Sequence, residues 1–136
     1  AYAGFVPQVI EVLQDHGMLK RTTFSSFLLE TVEELVLSGR PCLWLVSPPV
    51  LRQVGGRALA ELMRARSIPE IGIHIDDADA ALMAAFKDQG LAFGCWAAHS
   101  TEQIGKALAL GVKVFTTDRP TLALALRSRN LGEQAA

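Results

Sequence analysis

The tetrapeptide Thr117-Asp118-Arg119-Pro120 places a hydroxyl, a carboxylate and a guanidinium at the end of a short β-rich run that Gly111 introduces and a helical pattern follows. Asp76, Asp77, Asp79, Asp88 and Asp118 are the carboxylates that could serve a hard divalent cation, which oxygen ligands hold. Strand alternation aims no pair of them clearly into one site. Asp76 or Asp77 therefore reads as a helix cap, and Asp118 as an acceptor of backbone amides in the turn before Pro120, with Arg119 pairing on the surface or clamping a neighbouring loop. His74 sits in Ile71-Gly72-Ile73-His74-Ile75-Asp76; if the isoleucines pack outward, Gly72, His74 and Asp76 face the opposite side. An imidazole there either contacts an anionic substrate group or is a satisfied core residue. His99 follows Trp96 on a strand-end loop and is a second polar contact; His16 reads as a favourable charge at a helix end. Trp96 shares its strand face with the small residues Ala92 and Gly94, which leave room for a large ring as pocket wall or as core. Ser25 and Ser26 put hydroxyls at a strand end without a Gly-x-Ser-x-Gly elbow, so hydrogen bonding rather than nucleophilic attack is their expected use. Gly55-Gly56 between Arg52 and Arg57 lacks the Gly-Lys-Ser/Thr ending of a phosphate loop.

The elements that must position these groups alternate strictly. Helical spacing covers Phe5 to Gln14, Leu28 to Leu37, Asp79 to Gln89, Ser100 to Leu110 and Thr121 to Ser128, with a basic helix or loop from about Val50 to Arg66. Strand patterns fall at Arg21 to Phe27, Cys42 to Val46, Ile71 to Asp76, Leu91 to Trp96 and the run after Gly111. Ser47-Pro48-Pro49 stops the second strand, Ser100 is the expected cap of its helix, and Gly90 stops the preceding one. No Asn-Gly or Asp-Gly hairpin turn occurs. Continuous apolar strands such as Cys42-Leu43-Trp44-Leu45-Val46 suit a parallel sheet covered on both faces, so the fold class is α/β with parallel βα repeats. Residues 1–129 read as one folding unit and residues 130–136 as a flexible tail.

Composition narrows the function classes. Among 136 residues, 50% are hydrophobic and the net charge is −1, which gives no electrostatic case for nucleic acid or an anionic membrane. Cys42 and Cys95 fall in strands without metal-ligand spacing and read as buried free thiols, the basis for expecting a reducing, cytoplasmic setting. A complete eight-stranded βα barrel needs about 250 residues. The repeats here are therefore expected to be part of one.

Ser25-Ser26-Phe27 closing one strand, Leu43-Trp44-Leu45 in the next, Gly90-Leu91 to Trp96, Leu110-Gly111-Val112 and Thr117-Asp118-Arg119-Pro120 together make the chain resemble the carboxyl-terminal part of a glycerophosphodiester phosphodiesterase, from about Val9 to Leu126. The resemblance implies a partial TIM (β/α)8 barrel of about five strands, the last five of the family barrel. It also implies metal-dependent hydrolysis of glycerophosphodiesters to glycerol 3-phosphate and an alcohol. The family's His-Arg-Gly, Glu-Asn-Thr, Glu-x-Asp, second His and Glu-x-Lys motifs do not occur in this chain. No catalytic residue and no metal ligand is therefore assigned here. No cofactor is expected in this chain, and a divalent cation, Mg or Ca, is expected in the complete domain. Trp96, Ser26, His74 and His99 are the implied substrate contacts, and Asp118 and Arg119 the structural strand-end turn. Two positions depart from the family: Ala97-Ala98-His99 replaces a Thr-Val-Asn-like run, and Gly111-Val112-Lys113-Val114 replaces Gly-Val-Asp-Gly. The chain alone is expected to be inactive, its open sheet edges covered by a missing amino-terminal barrel segment or by another copy. The alternative is a non-catalytic, barrel-derived module that self-associates or binds a partner.

Overall fold

The computed structural model describes residues 4–135. Its backbone follows the alternation: helix α1 (Phe5–Asp15), strand β1 (Phe24–Ser26), α2 (Leu29–Leu37), β2 (Cys42–Val46), α3 (Pro48–Val54), α4 (Gly56–Ala65), β3 (Glu70–His74), α5 (Ala80–Lys87), β4 (Ala92–Trp96), α6 (Thr101–Leu110) and α7 (Pro120–Ala135). The four strands form one sheet in the order β1-β2-β3-β4, and every neighbouring pair is parallel.

Several boundaries differ from the sequence pattern. About five strands were expected, and the described residues form four. The fifth run still docks in parallel: Lys113 N donates to Phe93 O, Cys95 N to Val114 O and Thr116 N to Cys95 O, but only Cys95 and Phe115 form a bridge. The β1 pattern was overextended, since Leu19–Arg21 is a 3-10 turn. β3 likewise ends at His74, and Ile75–Asp77 turns as 3-10 helix. Neither Asp76 nor Asp77 caps α5. Asp79 does, its Oδ1 accepting from Leu82 N at 2.7 Å. The basic segment splits into two helices at Gly55, whose φ of 84° lies in the region that favours glycine. The expected tail is helical through Ala135, within α7.

Register puts alternate residues on two faces. Trp44, Val46, Ile71, Ile73, Phe93 and Cys95 join the buried cluster between sheet and helices, with Val32, Met63, Phe86 and Ile104 from the helical layer. The opposite face carries Leu43, Leu45, Gly72, His74, Gly94 and Trp96. A Cβ on Gly72 would come within 2.7 Å of Leu45 and 3.7 Å of Trp96, so these side chains do share a surface. In a closed barrel that surface is the interior. Near the amino ends of the strands, Lys113 Nζ pairs with the carboxylate of the largely buried Glu70.

Both margins of the sheet are open among the described residues. β1 has a partner only on its β2 side, and beside it lies an apolar groove of about 350 Å³ lined by Phe5, Val6, Val9, Phe24, Leu28 and Leu35. At the other margin a groove of about 460 Å³ runs between the fifth run and α6–α7, lined by Leu108, Val112, Val114, Phe115 and Leu124. Unpaired strand edges flanked by apolar surface are a liability unless something covers them.

Candidate functional site

The carboxyl ends of β1, β3 and β4 and the loop before α7 converge at one end of the sheet, the end where barrels carry chemistry. Trp96, the last residue of β4, sits opposite His74 in register. The two rings meet edge-on with centroids 4.5 Å apart, and Phe27 meets the indole in the same way at 5.2 Å. Gly72 leaves room beside the indole, to which a Cβ there would come within 3.7 Å. The indole Nε1 is buried without a hydrogen-bond partner among the described residues. A buried unpaired donor costs about 1–3 kcal/mol.

The backbone then turns sharply. Ala97 has φ 62°, in the left-handed region, where a non-glycine residue is disfavoured by about 1–2 kcal/mol. Thr116 holds the turn: its Oγ1 accepts from Ala97 N at 3.3 Å and its carbonyl from Ala98 N at 3.1 Å. His99 follows, its backbone N–H donating to Gln103 Oε1 at 3.0 Å. Ser100 and Gln103 complete a reciprocal capping box at the start of α6, as the serine predicted.

The carboxylates do not gather. Asp76 Oδ1 accepts from Gln103 Nε2 at 2.9 Å, while Asp118 Oδ1 lies 2.8 Å from His99 Nδ1. Asp118 is therefore not the amide acceptor of its turn; Thr117 Oγ1 takes the Arg119 N–H at 3.0 Å. The Arg119 side chain is exposed and forms no ion pair among the described residues. Among these residues no group of three or more His, Cys, Asp or Glu side chains could hold a metal ion. His74 is partly exposed and uses Nδ1 to accept from Asp76 N at 3.2 Å. Ser26 faces the helical side, and its Oγ accepts from Leu28 N at 3.0 Å, a local turn that starts α2. Of the four implied substrate contacts, Trp96, His74 and His99 thus cluster at the strand ends and Ser26 points its hydroxyl into its own turn.

Sequence reasoning did not single out Phe27 or Gln103 as site residues. An exposed aromatic directly after a strand was the available signal for Phe27. Nothing in the sequence marked Gln103 beyond its capping position.

A crystal structure of a candidate glycerophosphoryl diester phosphodiesterase from Agrobacterium tumefaciens matches 94% of the chain at 63% identity with a TM-score of 0.91. The chain resembles part of a glycerophosphodiester phosphodiesterase. It covers only 52% of that Agrobacterium protein. A candidate glycerophosphoryl diester phosphodiesterase from Silicibacter pomeroyi matches 91% of the chain at 20% identity and TM-score 0.77, with 43% of its own length covered. A glycerophosphodiester phosphodiesterase from Parabacteroides distasonis matches 91% at 18% identity and TM-score 0.65, with 50% covered. At those identities the last two show the fold alone. The chain spans about half the length of the solved structures it matches, and its parallel βα sheet is similar to part of their fold. No family model matches the chain, and no curated protein does. No helix among the described residues is long and apolar enough to cross a membrane.

Proposed function

We propose that the chain forms the pocket wall of a glycerophosphodiester phosphodiesterase barrel, with the metal ligands and the proton-transfer groups supplied by polypeptide that closes the barrel. The observation that carries this reading is the partly exposed indole of Trp96 at the carboxyl end of β4, met edge-on by His74 and Phe27 on the surface a closed barrel turns inward. The accessible part of the indole would wall the glycerol moiety. His74 and His99 supply further polar contact to the diester, and Ser26 shapes the β1 end through its turn. Hydrolysis itself needs charge stabilisation and an acid–base pair that these residues do not provide.

Reconstitution tests the reading. The chain is mixed with the half of the Agrobacterium relative that it does not cover, and glycerophosphocholine turnover is measured with Mg2+ or Ca2+. Turnover is expected from the mixture and not from the chain alone. In that mixture Trp96→Ala should raise KM or lower kcat. Trp96→Phe should recover most of the loss by restoring an aromatic wall. Equal activity of all three forms would return Trp96 to the core. The exposed apolar grooves at both margins favour a second reading, a non-catalytic module that binds a partner there; complexes that form tightly yet never hydrolyse the diester would favour it.

A further inference from the structure

The strand ends carry a polar chain that pocket walling does not use. Lys106 Nζ donates to Ile75 O at 2.7 Å, Gln103 Nε2 donates to Asp76 Oδ1 at 2.9 Å, and Gln103 Oε1 accepts from His99 N at 3.0 Å. Beyond His99 the chain continues to the loop before α7, where His99 Nδ1 lies 2.8 Å from Asp118 Oδ1 and 3.1 Å from the Asp118 backbone nitrogen. The loop before α7 thus holds the imidazole of a residue 19 positions earlier through a single ring nitrogen. The carboxylate contact requires a proton on Nδ1, and the amide contact a lone pair there, so the two alternate with the state of the ring. In either state Nε2 has no partner among the described residues. The ring is about half exposed.

We infer that His99 is a phosphate-binding residue and Asp118 its positioning residue: Nδ1–H donates to the Asp118 carboxylate while Nε2–H donates to a phosphate oxyanion. An imidazolium between two anions forms charge-assisted hydrogen bonds on both sides. The inference rests on the diesterase reading only for the source of the phosphate, a diester substrate or a monoester product. It assigns a role to the one histidine that stands where the family resemblance leads one to expect asparagine.

The test uses the 136-residue chain and the imidazole nitrogen resonances of its three histidines, titrated with inorganic phosphate against sodium chloride at matched ionic strength. His16, whose Nδ1 contacts Val12 O at 2.9 Å on α1, is the internal control. The His99 Nε2 signal should shift saturably while that of His16 follows the chloride series. Asp118→Asn should weaken the phosphate response about ten-fold, and Asp118→Glu should restore part of it. A His99 shift no larger than that of His16, or an Asp118→Asn chain that titrates like the parent, overturns the inference. Parallel titrations with glycerophosphocholine and glycerol 3-phosphate separate diester from monoester. A reconstituted barrel without turnover would sink the diesterase reading and leave the phosphate response standing.

Discussion

At the scale of single residues, burial decides reactivity. Cys42 and Cys95 are 0% and 1% exposed on the helix-facing side of the sheet, and burial pushes each thiol up to about 11, with Glu70 adding to the effect at Cys42 and Lys106 opposing it at Cys95. Both should resist thiol reagents at pH 8 in the native chain and react at once after denaturation, a difference that labelling with and without guanidinium measures. The sign of the pH effect follows. Between the ordinary value of 9.0 and about 11 the unfolded chain releases protons that the folded chain keeps, so stability should fall with rising pH across that window. Denaturant melts at pH 8 and pH 10.5 check it; a flat profile contradicts the burial. These thiols were legible from sequence because both lie in apolar strands. The His99–Asp118 contact was not: each residue could be placed at a strand end, but their meeting depends on how the fifth run docks against β4. Asp118 was read as the holder of its own turn because aspartate often is one, and Thr117 takes that task instead.

At the scale of elements, two glycines separate tolerance from necessity. A Cβ on Gly94 would lie 2.9 Å from the Val114 carbonyl and 3.0 Å from its side chain, so the fifth run can dock only against a glycine. Backbone cannot step aside, and Gly94→Ala should cost about 1–3 kcal/mol and loosen the Val114–Thr116 amides in hydrogen exchange. Gly72→Ala meets chiefly the flexible end of Leu45 and should cost less. If the two variants melt alike, the docking of the fifth run does not depend on Gly94. Ser100→Ala removes the cap of α6 and should cost about 1 kcal/mol in a thermal melt. Periodicity placed the four strands of the sheet and helices α1, α2, α5, α6 and α7, since apolar spacing reflects which face is buried; it left the basic segment open and took the fifth run for a full strand. It overran the ends of β1 and β3, because Arg21 and Ile75 continue the pattern while the backbone has already turned into 3-10 geometry. Gly55 broke the basic helix through its backbone angle, which Gly-Gly signals only loosely.

At the scale of the molecule, the chain is a parallel βα sheet with its apolar core on the helical side and two open margins among the described residues. Its core cluster lies wholly between sheet and helices, whereas the inward surface holds glycines, Trp96 and His74 with two open margins. Closing such a sheet supplies partners for the edge amides and covers both apolar grooves at once. The sequence carried this conclusion through its length and its repeats, but the extent of the grooves depends on side chains drawn from four helices and was not visible in any local pattern. The most direct test is hydrogen exchange of the amides that face outward at the two margins, Ser25 and Phe115, in the chain alone and with the uncovered half of the Agrobacterium relative. Exchange should be fast at both margins alone and slow at both together in a one-to-one complex. Margins already protected in the isolated chain, or protection of one margin only, would contradict an incomplete barrel.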